Sequence, residues 1–184
     1  GLPRGVALMD AAYGRDARLR AGMTELGTPY VVGIVPTILM WAPGSGPRRM
    51  DKPMNNTGRR DEPELVSAKK VALGLPKQAW RTVTWREGSA DQLSSRFARV
   101  RVRVGYNKLI PEKLSPEWLL IEWPESEAEP TKYWLSTVPE DISFEKLVDL
   151  AKLRWRIERD YQELKQEVGL GHYEGRGWRG FHHH

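Results

Sequence analysis

The stretch RWRIERDYQELKQEVGL, Arg154 to Leu170, decides how this chain is read. Upstream, Ser143 is a suitable N-cap, with Glu145 in the first turn where the helix dipole favours an acid. Downstream, Gly169 is a suitable terminator. The spacing between them predicts one helix ending near Val168. At about 3.6 residues per turn, Leu147, Leu150, Ala151, Ile157, Tyr161, Leu164 and Val168 share one stripe, the predicted buried face. Arg154, Glu158 and Lys165 fall along one edge of that stripe. Glu163 and Glu167 point roughly the opposite way, and Arg156 and Asp160 lie further round. Of these acids, Glu158 alone sits at the margin of the core, where a cleft can form. Spacing by itself favours a solvated helix in which Arg154 and Glu158 form an i,i+4 ion pair worth a few tenths of a kcal/mol.

The start of the chain has a different texture. Val6 to Met9 is a short apolar run ending in Asp10, and Gly14 follows. A helix is predicted from about Asp16 to Leu26, with Ala17, Leu19 and Leu26 as packing residues. Gly27-Thr28-Pro29 stops it, and Tyr30 to Val35 reads as a buried strand. Strand, acid, helix and strand in this order indicate an α/β layer fold with a parallel sheet. Taken alone, Asp10 reads as a strand-end turn residue or a helix N-cap.

Between these two regions the pattern changes twice. From Ala42 to about Pro63 the chain is rich in Pro, Gly, Arg and Asn, as in a mobile basic loop. Beyond it the period switches to two. WRTVTWR (Trp80–Arg86), RFARVRVRV (Arg96–Val104), WLLIEW (Trp118–Trp123) and TKYWLS (Thr131–Ser136) are strand candidates for an antiparallel, β-rich insertion. In the second, Ala98, Val100, Val102 and Val104 face one way, and Arg99, Arg101 and Arg103 the other. On its own that arginine row is the exposed face of a half-buried strand. Trp80, Trp85, Trp118, Trp123 and Trp134 are mostly core of this insertion.

The balance of Lys and Arg over Asp and Glu gives a net charge of +5, which suits a polyanion such as nucleic acid. Cysteine is absent, which excludes disulfide and thiolate metal sites and makes a reducing cytoplasm the default. No apolar run approaches the roughly 20 residues of a membrane helix, so no membrane partner is expected. GLPRGVALMD carries no secretory leader, and the early strand suggests a chain cut from something longer.

Arg154-x3-Glu158-x6-Lys165 matches the later part of the Y-x2-R-x3-E-x6-K signature of bacterial insertion-sequence transposases; the family's Tyr falls at Ala151. LAKLRWRIERDYQELKQEVGLGHYEGRGWRGFHHH resembles the branch that carries ELK followed by GL-x-HYEGR. MDAAYG near the start and EPTKYWLST before the helix extend the resemblance over most of the chain. These are transposases of the DDE type. The resemblance implies an RNase H-like α/β fold, here lacking its first strands and interrupted by a β-rich insertion. The implied division is residues 1–41 as the first part of the core and 42–143 as basic loop and insertion. Residues 144–175 are then the second part of the core with the catalytic helix, and 176–184 a truncated tail.

The same resemblance implies a catalytic triad of carboxylates holding two Mg2+ (or Mn2+) ions, hard cations that prefer oxygen ligands. Asp10, followed by Ala-Ala-Tyr13-Gly14, matches the second acid of the triad and Glu158 the third. The first is expected upstream of Gly1, so this chain alone is expected not to cut DNA. Arg154 and Lys165 match basic positions that contact phosphates, and Arg99, Arg101 and Arg103 become a phosphate track, joined by the Arg48-Arg49 and Arg59-Arg60 pairs. The implied partners are double-stranded DNA, at element ends and target, and a second copy of the chain on paired ends. The implied location is the bacterial cytoplasm. A non-catalytic DNA-binding remnant of a decayed element and an RNase H-like hydrolytic nuclease are the other readings. His182-His183-His184 reads as native sequence cut short, and His172 has no partner visible in sequence.

Overall fold

The computed structural model describes residues 5–45, 65–86, 92–105, 115–153 and 163–167. Arg154, Glu158, Ile157, Tyr161, Val168, the Arg48-Arg49 and Arg59-Arg60 pairs, His172 and the three final histidines lie outside these residues.

The first unit is strand β1 (Ala7–Met9), the short helix α1 (Ala11–Gly14), helix α2 (Ala17–Glu25) and strand β2 (Tyr30–Ile34). Asp16 caps α2, its carboxylate accepting from the Arg18 and Leu19 amides. Gly27, at φ 63°, turns the chain out of the helix. β2 then pairs parallel with β1, Leu8 opposite Val31, as the sequence predicts.

The chain continues through β3 (Leu39–Trp41), β4 (Leu65–Ser67), helix α3 (Ala68–Leu73), β5 (Arg81–Arg86), β6 (Gln92–Val104), β7 (Glu117–Trp123), β8 (Lys132–Ser136) and helix α4 (Phe144–Lys152). One eight-stranded sheet results, in the order β1-β2-β8-β7-β6-β3-β4, with β5 also on β6. The long β6 is its spine. It pairs antiparallel with β7 along one edge, and with β5 and then β3 along the other. β8 lies antiparallel against β2, Val32 opposite Leu135, so the strands of the predicted insertion extend the sheet that begins at β1. This mixed α/β architecture of many strands and few helices is that of an RNase H-like fold.

Each strand divides its residues between two apolar layers, because successive side chains point to opposite faces. Tyr30, Val32, Ile34, Val102, Leu119, Ile121, Tyr133 and Leu135 form the layer that also holds Met23 of α2 and Val71 of α3. Val31, Phe97, Leu120 and Trp134 face the other way, onto Phe144, Leu147, Val148 and Ala151 of α4. Helices thus cover both faces. Leu147 and Val148 have no exposed surface, and burial of this kind contributes about 1.5–3 kcal/mol per side chain.

Several expectations need correction. Leu26 does not pack but is 69% exposed, because α2 turns its Arg20 and Met23 side inward and Leu26 is the C-cap. Leu164, expected on the buried stripe, is 54% exposed. The face that α4 buries is centred on Phe144, Leu147, Val148, Ala151 and Lys152. The insertion tryptophans are mostly core, as expected: Trp134 is buried, Trp80, Trp85 and Trp118 pack half-buried against the two apolar layers, and Trp123 alone of the five lies outside them. β3, β4 and α3 carry no signal legible in the sequence. Their runs are three to six residues long, too short to show a period, although Ser67 caps α3 and Ala68, Val71 and Ala72 mark its inner face.

Candidate active site

Asp10 leaves β1 in extended conformation, φ −84° and ψ −179°, and caps α1. Its Oδ1 accepts from the Ala12 amide at 2.8 Å and the Tyr13 amide at 3.3 Å. The N-cap reading of this residue is therefore correct as local structure. It does not exhaust the side chain, since a carboxylate has about four acceptor positions. Leu8, two residues earlier, packs into the layer under α4. Strand alternation carried through the extended Asp10 puts its Cβ on that same face.

The glycine of the Asp10-Ala-Ala-Tyr-Gly14 run has a steric cause. A Cβ on Gly14 would stand 1.9 Å from the Gly33 carbonyl oxygen of β2, and one on Gly33 would stand 3.2 Å from the Ala11 amide nitrogen. Two glycines let α1 lie directly on β2, which sets where Asp10 stands relative to the sheet. Arg20 completes the arrangement from α2. It is 2% exposed, and its Nη1 donates to the Gly14 carbonyl.

On the other side, α4 is tied to the sheet by an ion pair. Lys152 donates from Nζ to both carboxylate oxygens of Glu122 on β7, each at 2.7 Å, and both side chains are nearly buried. The ammonium also lies 4.2 Å from the centre of the Trp85 ring, with Phe97 at 5.5 Å and Trp134 at 5.8 Å. Lys152 is not legible as a buried residue in the sequence, since a lysine near the end of an amphipathic helix ordinarily belongs to the solvent face. The one available hint was Glu122, an acid inside an otherwise apolar strand. A second buried acid, Glu117 of β7, accepts from the Tyr30 hydroxyl of β2 at 2.7 Å. Burial raises its pKa, opposed by that hydrogen bond and by Arg20 and Arg101.

The arginine row faces the α4 side of the sheet, as alternation predicts, with Ala98, Val102 and Val104 buried behind it. Two of its members are engaged within the protein. Arg99 donates to the Ile142 carbonyl at 2.7 Å and stacks over Trp118 at 4.5 Å. Arg101 donates to the Pro116 carbonyl and pairs with Glu140 at 3.0 Å. Arg103 is half-buried opposite Trp41 of β3. Lys165 is helical and exposed, while Arg154 and Glu158 lie outside the described residues.

Among the described residues no group of three or more His, Asp or Glu side chains could hold a metal ion. Asp10 is the one proposed ligand within them. A carboxylate at the C-terminal end of a parallel strand, over the face a helix covers, is an oxygen donor of the kind a hard divalent cation takes. No helix among the described residues is long and apolar enough to cross a membrane.

A family model described as "DDE superfamily endonuclease" matches residues 1–92, half of the chain and the half that contains Asp10. No curated protein matches. Nucleases of this class generally use divalent metal ions. On this match and this fold, the chain belongs to the DDE superfamily endonucleases.

Proposed function

We propose that the chain is the C-terminal catalytic part of a bacterial insertion-sequence transposase, which cleaves and joins DNA at element ends. The observation that carries the reading is the position of Asp10. It stands in extended conformation at the end of β1, two residues after Leu8, which packs in the layer under α4, so strand alternation directs its Cβ to that face. A family match to DDE endonucleases over the same residues supports it.

In this reading Asp10 and Glu158 supply two carboxylates of the triad, and a residue preceding Gly1 supplies the first. Together they would hold two Mg2+ or Mn2+ ions, which when bound activate the attacking oxygen and stabilise the leaving one. The contribution of the chain itself is position. Gly14 and Gly33 bring α1 and Asp10 close to the sheet. Lys152 and Glu122 hold α4 on the same face, immediately before the Arg154–Lys165 signature. Arg154 and Lys165 bind phosphates beside the cleaved bond, where the Arg fork suits two phosphate oxygens. The strands between β2 and α4 act as an insertion that extends the sheet and carries DNA. The working form is a dimer on paired ends in the bacterial cytoplasm.

The test is made in the complete protein with a plasmid bearing the element ends. Asp10→Asn and Glu158→Gln are each expected to lower nicking by roughly a hundredfold or more with duplex binding retained. The 184-residue chain alone is expected to leave plasmid intact with magnesium or manganese. Undiminished nicking by either variant removes that residue from the triad, and nicking by the chain alone removes the need for a third ligand. The family description, endonuclease, also covers cleavage without joining. A strand-transfer assay with pre-cleaved ends separates the two, because a purely hydrolytic nuclease gives no joined product.

A further inference from the structure

Arg81 was not part of the arginine row, yet the fold brings it there. β5 pairs with β6 so that Arg81 stands opposite Phe97, and Val83 and Trp85 on the same side of β5 pack into the α4 layer. The Arg81 guanidinium carbon lies 5.3 Å from the centre of the Phe144 ring, and that of Arg99 lies 5.6 Å from the same centre. Phe144 itself is only 5% exposed, so the two cations lie over one buried ring at the start of α4. They are close enough for Arg81 to oppose the charge on Arg99. Burial first, and repulsion from Arg81 second, lower the Arg99 pKa, while Glu145 acts the other way.

Two like charges over one ring repel, and a stable fold usually offsets such a pair with a partner. Arg99 spends one of its donors on the Ile142 carbonyl. Arg81 is exposed, and its guanidinium makes no hydrogen bond or ion pair among the described residues. Next to them Arg101 already pairs with Glu140. Arg81 has no such carboxylate partner among the described residues, so its positive charge is open to the single negative charge that one phosphodiester carries. Two neighbouring guanidiniums can donate to its two free oxygens.

We infer that Arg81 and Arg99, seated on Phe144, form a clamp for a single phosphodiester of a DNA backbone. The inference rests on the DNA-binding reading above and adds to it a site on β5, outside the row on β6. It also assigns Arg101 a different job, that of holding Glu140 and the Pro116 carbonyl.

The test measures binding of a short duplex to this chain across a salt series. Arg81 is exposed, so Arg81→Ala should leave the fold intact. It is expected to weaken binding several-fold and to reduce the slope of log K against log salt by about 0.9, one phosphate contact. Glu145→Gln, which removes the neighbouring negative charge, should tighten binding. Lys69→Ala, on the opposite side of the sheet and paired with Glu129, is the control expected to change neither quantity. If Arg81→Ala binds with unchanged affinity and slope while the unmodified chain binds in a salt-dependent way, the clamp is wrong and the DNA reading survives. Should the unmodified chain show no salt-dependent binding, the DNA reading fails and the clamp with it.

Discussion

Lys152 and Glu122 meet across the interface between α4 and β7, the ammonium 2.7 Å from both carboxylate oxygens and roofed by the Trp85 ring at 4.2 Å. The side chains are 9% and 5% exposed. A pair this deep is held by what its removal would strand. Lys152→Met should cost about 3–5 kcal/mol, because it leaves Glu122 charged and alone among aromatic rings. The double change Lys152→Met with Glu122→Leu should recover most of that loss. Denaturant unfolding of the single and double variants measures both. Equal losses in the two would show that the single change acts through packing and not through the stranded charge.

Asp10 has two separable duties. As the cap of α1 it accepts two backbone amides, so Asp10→Ala should cost about 1 kcal/mol. Asp10→Asn retains the cap and should lie within about 0.5 kcal/mol of the parent. Thermal unfolding of the two variants checks this order. The Asn variant is therefore the one whose loss of cleavage reports chemistry rather than folding.

Gly14 should tolerate no side chain. A Cβ there would lie 1.9 Å from a backbone oxygen of β2, and a backbone atom cannot swing aside as a flexible side chain can. Gly14→Ala is expected to destabilise by about 1–3 kcal/mol or more, by pushing α1 off the sheet. Gly22→Ala, where a Cβ meets nothing within 4 Å, should be neutral or stabilising, since it replaces a helical glycine. Parallel unfolding curves for the two give the comparison.

Glu117 makes stability depend on pH. Burial raises its pKa in the folded chain, against the Tyr30 hydrogen bond and the nearby Arg20 and Arg101. The folded state therefore binds this proton more tightly than the unfolded state. The stability linked to it is fully present below the unfolded pKa and is lost as pH rises through the folded one. Glu117→Gln still accepts from Tyr30 but carries no charge. It should be more stable than the parent near neutral pH, and its stability should vary less across the range above the unfolded carboxylate pKa. A parent and variant whose stabilities change in parallel with pH would remove Glu117 as the source.

Most of the strands and the flanking helices were legible because their signals are local. Tyr30–Ile34 is a β-branched apolar run, the alternation around Arg99 needs only its own neighbours, and Ser143 caps α4 as its hydroxyl chemistry predicts. Leu39–Trp41 and Leu65–Ser67 were not, since a strand of three residues holds too little of a period to be seen. Asp10 could be picked out from its motif. Lys152, Glu122 and Arg81 could not, because each takes its meaning from a residue on another element.

What the sequence by itself determined, then, was periodicity, caps and the acid at the end of β1, together with a motif whose Arg154 and Glu158 lie outside the described residues. Tertiary structure alone decided that β8 lies beside β2, that Gly14 rests on Gly33, that a lysine goes inside, and that Arg81 joins Arg99 over Phe144. The physical reason is the same in each case. Local backbone preference depends on a few adjacent residues, whereas the cost of burying or crowding a charge is settled by whatever the sheet register places opposite it.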